Sequence, residues 1–168
     1  NPLSIVKSLY ERNSFESEKT FYLWLEHILP SVSRSTGATR VVIDYDRLLD
    51  NPEAQLLRLS RALGLSGPEP LALAAYQTDF LDNRLRHTIF TMDDLRYYPS
   101  VPSQVITAYE WLVSLSRDEV PLSPYGAEIE RAFESLAQEL NNVSTAYWKS
   151  SLEDQISAIK IRERIIGE

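Results

Sequence analysis

Apolar residues recur every three or four positions along most of the chain, and one short run breaks that rhythm. Leu3, Val6, Leu9 and Tyr10 keep helical spacing from Pro2 to about Arg12. Asn1 suits the cap of that helix. Pro2 suits its first position, where a missing N–H costs nothing. Phe21, Trp24, Leu25, Ile28, Leu29 and Val32 form a wide stripe on a second helix. Ser14 or Ser17 is its expected cap, and Pro30 is expected to kink or end it. After Gly37 the spacing changes. In "RVVIDY" the residues Val41, Val42 and Ile43 are consecutive and β-branched, which predicts a strand buried on both faces.

A short turn then leads into "DNPEAQLLRLSRALGL". Asn51 caps, Pro52 opens the helix, Leu56, Leu59 and Leu63 line one face, and Gly64 ends it. "SGPEP" reads as a loop before a short helix from Leu71 to Tyr76. Residues 80–103 read as an irregular surface segment containing one helical turn. From Pro102 a further helix buries Val105, Tyr109, Leu112 and Val113. "VPLSP" is a linker, and Ile129, Phe133, Leu136 and Leu140 mark another amphipathic helix. In the tail, Leu152, Ile156 and Ile159 stand in a heptad-like row that breaks at Glu163.

Helix, strand, turn and helix in succession predict an α/β fold that is predominantly helical, with few strands and additional helices at its C-terminal end. The expected division is residues 1–100 as one layered unit. Residues 101–168 then form a helical extension, packed on it or joining a partner.

Composition narrows the function classes. The chain has 168 residues, 43% of them hydrophobic and 24% charged, as in an ordinary globular domain. A net charge of −7 argues against a nucleic-acid partner, which needs a basic face. The sequence holds no cysteine, so disulfides and zinc–thiolate sites are excluded. With no apolar run of membrane-spanning length, the expectation is a cytoplasmic protein. Asp44, Asp46 and Asp50 crowd together, but no histidine assists them, and no metal is expected.

Three stretches together resemble the sulfotransferases that use 3′-phosphoadenosine 5′-phosphosulfate, on the side that holds the nucleotide 3′-phosphate. They are "NPLSIVKSLYER", "VVIDYDRLLDNPEAQLLRLSRALGL" and "FLDNRLRH", covering roughly residues 1–90. The resemblance implies part of a P-loop-like core with parallel strands. It implies that Ser8 holds the 3′-phosphate, that Tyr45 lies beside the adenine, and that Arg84 and Arg86 reach the nucleotide from a late basic segment. The family's 5′-phosphosulfate loop, its catalytic base and an Arg just before Asn1 have no counterpart here. The resemblance therefore implies a piece of a longer sulfotransferase, inactive alone, with no catalytic residue of its own. The co-substrate would be the phosphosulfate nucleotide. The acceptor hydroxyl would belong to a glycan, lipid or small molecule.

Each of these residues also has an ordinary structural reading. Ser8 fits a helix surface and Tyr45 a half-buried packing position. Arg84 and Arg86 fit solvated charges, or partners of Asp79, Asp82 and Asp93. His27 lies mid-helix beside an apolar stripe, as a structural histidine would. Two rival classes follow. One is a non-enzymatic helical module that forms a homodimer through its C-terminal helices. The other is a different P-loop enzyme, which would take a nucleoside triphosphate with magnesium.

Overall fold

The computed structural model describes residues 1–81, 88–119 and 128–166, with backbone alone at Phe80, Val143 and residues 158–166. Eight α-helices follow one another in the described residues: α1 (Pro2–Asn13), α2 (Ser17–Ser33), α3 (Tyr45–Asp50), α4 (Pro52–Leu63), α5 (Pro70–Ala75), α6 (Met92–Arg96), α7 (Ser103–Ser116) and α8 (Glu128–Ile166). A single π-helical turn, Tyr76–Phe80, continues α5.

Local signals set most of these boundaries. The Asn1 side chain accepts from the Leu3 amide at 3.0 Å and so caps α1. Asn51 does the same for α4 through the Ala54 amide at 3.1 Å. Gly64, at φ +67°, closes α4 in the left-handed conformation that glycine adopts without steric cost. Thr91 and Asp94 form a reciprocal capping box on α6. Ser17 is the first residue of α2 rather than its cap, and Ser14 at φ +54° closes α1.

Pro30 does not end α2, which runs on to Ser33. The Ser31 hydroxyl donates to the His27 carbonyl at 2.7 Å and Ser33 to the Leu29 carbonyl at 3.2 Å. These bonds serve carbonyls beside the gap that the proline nitrogen leaves.

The core lies where α1, α2, α7 and α8 meet. Phe21, Leu25 and Leu29 of α2 are fully buried, as are Val105 and Ala108 of α7 and Ile129 and Phe133 of α8. Leu3 and Val6 of α1 and Leu95 of α6 join the same cluster. Phe21 meets Tyr98 edge-on at 5.8 Å, and Tyr22 lies 5.0 Å from Tyr147. The Trp148 indole donates to Glu26 Oε1 at 2.7 Å, tying α8 to α2.

The expected α/β layering is overturned: among the described residues no β-ladder forms, so there is no parallel sheet and no P-loop-like core. Residues 39–44, where the β-branched run predicted a strand, are neither helical nor paired. β-Branched residues favour a pleated surface only when a second strand provides one. Here Val42 packs against the helical core instead. Tyr45, expected at a strand end, is the first residue of α3. Asp44 caps that helix by accepting from the Arg47 amide at 3.0 Å.

Arginines take over part of the bonding that a neighbouring strand would supply. Arg58 of α4 donates to the Val42 carbonyl at 2.6 Å and to the Leu115 carbonyl at 2.9 Å. It also forks onto Asp118 at 2.7 and 2.6 Å. Arg47 donates to the Ser116 carbonyl at 2.5 Å. Arg40 pairs with Glu130 at the start of α8, and its other nitrogen reaches the Val32 carbonyl at 2.8 Å.

Candidate functional site

One cleft of about 170 Å³ lies between the start of α1, residues 42–45 and α7. Pro2 and Ile5 of α1 form one wall. Trp24 and Ile28, from the upper edge of the α2 stripe, form the next. Val42, Ile43, Asp44 and Tyr45 close a third side, and Tyr109, Leu112 and Val113 of α7 close the fourth. The volume is below the ~300 Å³ at which whole small-molecule sites begin. A cleft of this size holds part of a ligand rather than the whole of one.

The polar groups at this cleft are few and placed. Asn1 holds the loop before α6 against the helix start, donating from Nδ2 to the Phe90 carbonyl at 3.0 Å and the Thr91 carbonyl at 2.9 Å. The Leu3 amide is taken by the Asn1 side chain and the Ser4 amide by the Asn1 carbonyl at 3.1 Å. Pro2 has no N–H. An anion at this end would therefore feel the helix dipole more than direct amide bonds. The Tyr109 hydroxyl is pushed up to about 12, first by burial and then by the charges of Asp44 and Asp46. Arg117 and a hydrogen bond with Asn1 oppose that shift without cancelling it. Tyr109 thus keeps its proton at neutral pH, as a neutral hydroxyl in a lining that also carries Asn1, Asp44 and Ser116.

Of the residues that the sequence singled out for the nucleotide, Tyr45 lines the cleft and Ser8 does not. Tyr45 is 54% exposed and lines the cleft together with Pro2 and Ile5 of α1. Ser8 is exposed and does not line it. It stands one turn beyond Ile5, on the same side of α1. Arg84 and Arg86 lie outside the described residues. His27 is exposed. Asp44 serves as a helix cap, and no group of acidic or histidine side chains among the described residues is arranged to hold a metal ion.

Sequence reasoning missed Tyr109 as anything but packing, and it missed Arg40, Arg47 and Arg58 altogether. Arg58 stands between Leu57 and Leu59 in sequence but off the Leu56, Leu59 and Leu63 stripe, on the side of Gln55. Nothing in that local spacing marks it as buried, because the acceptors that meet its guanidinium lie far away in sequence. No helix among the described residues is long and apolar enough to cross a membrane. No protein-family model, curated protein or solved structure matches the chain.

Proposed function

We propose that the chain forms the nucleotide-binding side of a sulfotransferase. The enzyme would move a sulfuryl group from 3′-phosphoadenosine 5′-phosphosulfate to the hydroxyl of a glycan, lipid or small molecule in the cytoplasm. The observation that carries this reading is the cleft. Tyr45 and the start of α1, two regions that the sequence motifs assign to the same nucleotide, line one cleft of about 170 Å³.

On this reading the adenine enters between Tyr45 and the α1 wall, with Trp24 and Ile28 beneath it. Its amino group and ring nitrogens can exchange hydrogen bonds with the Tyr109 hydroxyl. Asp44 and Asp46 act on Tyr109 and repel phosphate from that wall. The 3′-phosphate accordingly lies further along α1, one turn beyond Ile5, where Ser8 donates to it. Arg84 and Arg86 add positive charge. Sulfuryl transfer spreads charge over the moving oxygens and the leaving phosphate, so binding and orientation supply much of the catalysis. That chemistry uses no metal here, and no catalytic base is assigned to this chain.

Calorimetry with adenosine 3′,5′-bisphosphate tests the reading. The protein should bind it, and Ser8→Ala should bind about tenfold more weakly, the loss of one hydrogen bond to a charged group. Tyr45→Ala should weaken binding further than Tyr45→Phe, which keeps the ring. Absence of heat at high nucleotide, or a preference for magnesium ATP, overturns the assignment.

A further inference from the structure

A second cavity, of about 330 Å³, opens between α1, the start of α2 and the segments on either side of α6. Among the described residues it shares no lining with the first cleft. Its volume falls in the range of sites that enclose most of a small molecule. Leu3 and Val6 of α1 are buried and line it, and Phe90 and Tyr98 pack on the same core. Phe21 meets the Tyr98 ring edge-on at 5.8 Å and so fixes that wall. Tyr10, 65% exposed, stands at the mouth. With three aromatic rings and two aliphatic side chains around it, the body of an occupant is apolar and flat.

The polar groups in this lining set the other half of the ligand. Ser17 Oγ and the Tyr98 hydroxyl lie 2.8 Å apart and are half-buried. The two hydroxyls carry two protons, and the bond between them uses one. The second proton is free for an acceptor on the occupant. Lys7 is the charged residue of the lining. Glu11, its partner at 3.7 Å, is exposed and lies outside the lining. An exposed pair at that separation holds weakly, so Lys7 can meet a second anion. Its stem runs along apolar surface while its ammonium stays near water. In a chain of net charge −7, a lining with one cation and, among the described residues, no carboxylate selects for an anion.

We propose that this cavity binds a small aromatic carboxylate. The ring lies against Leu3, Val6 and Phe90. One carboxylate oxygen accepts from the Ser17–Tyr98 pair, and Lys7 is the counter-ion. The site does not depend on what the first cleft binds.

Calorimetry with 2-naphthoate tests it, with 2-naphthamide as a neutral probe of the same shape. The naphthoate should bind, and the amide about fivefold more weakly, the effect of one partly exposed ion pair. Lys7→Gln should remove that difference, and Lys7→Arg should keep it. Tyr10→Ala should weaken both probes by about threefold, the loss of one ring contact. Lys7 and Tyr10 both reach solvent, so the circular dichroism of these variants should match that of the parent. Equal affinity for the two probes overturns the proposal, as does no binding at millimolar 2-naphthoate. So does a preference for the anion that survives Lys7→Gln, or binding indifferent to Tyr10→Ala.

Discussion

The α1–α2–α7–α8 bundle and the stretch from Arg40 to Leu63 are held by different forces. In the bundle, hydrocarbon is removed from water: Phe21, Leu25, Leu29, Ile129 and Phe133 are fully buried, and each fits a helical stripe. In the other stretch few apolar side chains are buried, and Leu49 is the large one. There the chain is anchored by guanidinium groups that reach carbonyls and carboxylates far away in sequence. Nonpolar packing tolerates exchange among residues of similar volume. A guanidinium fork tolerates little, because its geometry is fixed. The two regions should therefore answer differently to conservative and to drastic substitutions.

The largest expected effect is in the bundle. Phe133→Ala should destabilise by about 4 kcal/mol in urea unfolding, through lost burial and the cavity left behind. Phe133→Leu should recover most of that. An equal cost for the two substitutions would contradict a hydrocarbon-held core.

At the junction of the two regions, Glu130 is 2% exposed beside Arg40. Glu130→Leu leaves a buried guanidinium without its carboxylate and should cost about 3 kcal/mol. The double change with Arg40→Met should cost less than Glu130→Leu alone, because no buried charge is left unpaired. A double-mutant cycle checks this, and simple additivity would show that the pair is not coupled.

Arg58→Ala should cost about 2 kcal/mol, the range for hydrogen bonds made by a charged group that is mostly buried. Arg58→Lys should recover little, since one ammonium cannot span Val42, Leu115 and Asp118 together. Amide exchange should rise first in residues 39–50 and last in α2.

The smallest effect is a pH dependence. Tyr109 ionises near 10 when unfolded and near 12 when folded, so the folded state holds the proton more tightly. Its contribution is intact below pH 10 and is lost as pH rises from 10 to 12. Tyr109→Phe should flatten that part of the stability profile. An unchanged alkaline limb would mean that the hydroxyl is not where the cleft places it.

The same contrast explains what the sequence could disclose. The helices of the bundle were legible because a period of three to four residues and a cap such as Asn1 or Asn51 are local signals. The strand reading failed because "VVI" reports a local preference, whereas a sheet depends on a partner. The helix α3 went unread because its cap, Asp44, looked like the end of that strand. α8 was expected as two pieces, although nothing between Leu140 and Ala146 breaks a helix. Motif order set Tyr45 near the α1 start as an expectation, and Tyr45, Pro2 and Ile5 line one cleft. The arginine anchors were not legible, because Arg58 and Leu115 are 57 positions apart and Arg40 and Glu130 are 90 apart.

Amide hydrogen exchange with and without adenosine 3′,5′-bisphosphate tests the nucleotide assignment most directly. The nucleotide should slow exchange in residues 3–8, 42–46 and 109–113, the parts of α1, the Tyr45 segment and α7 that meet at the cleft, and should leave α8 unchanged. Protection elsewhere, or none at saturating nucleotide, would contradict it.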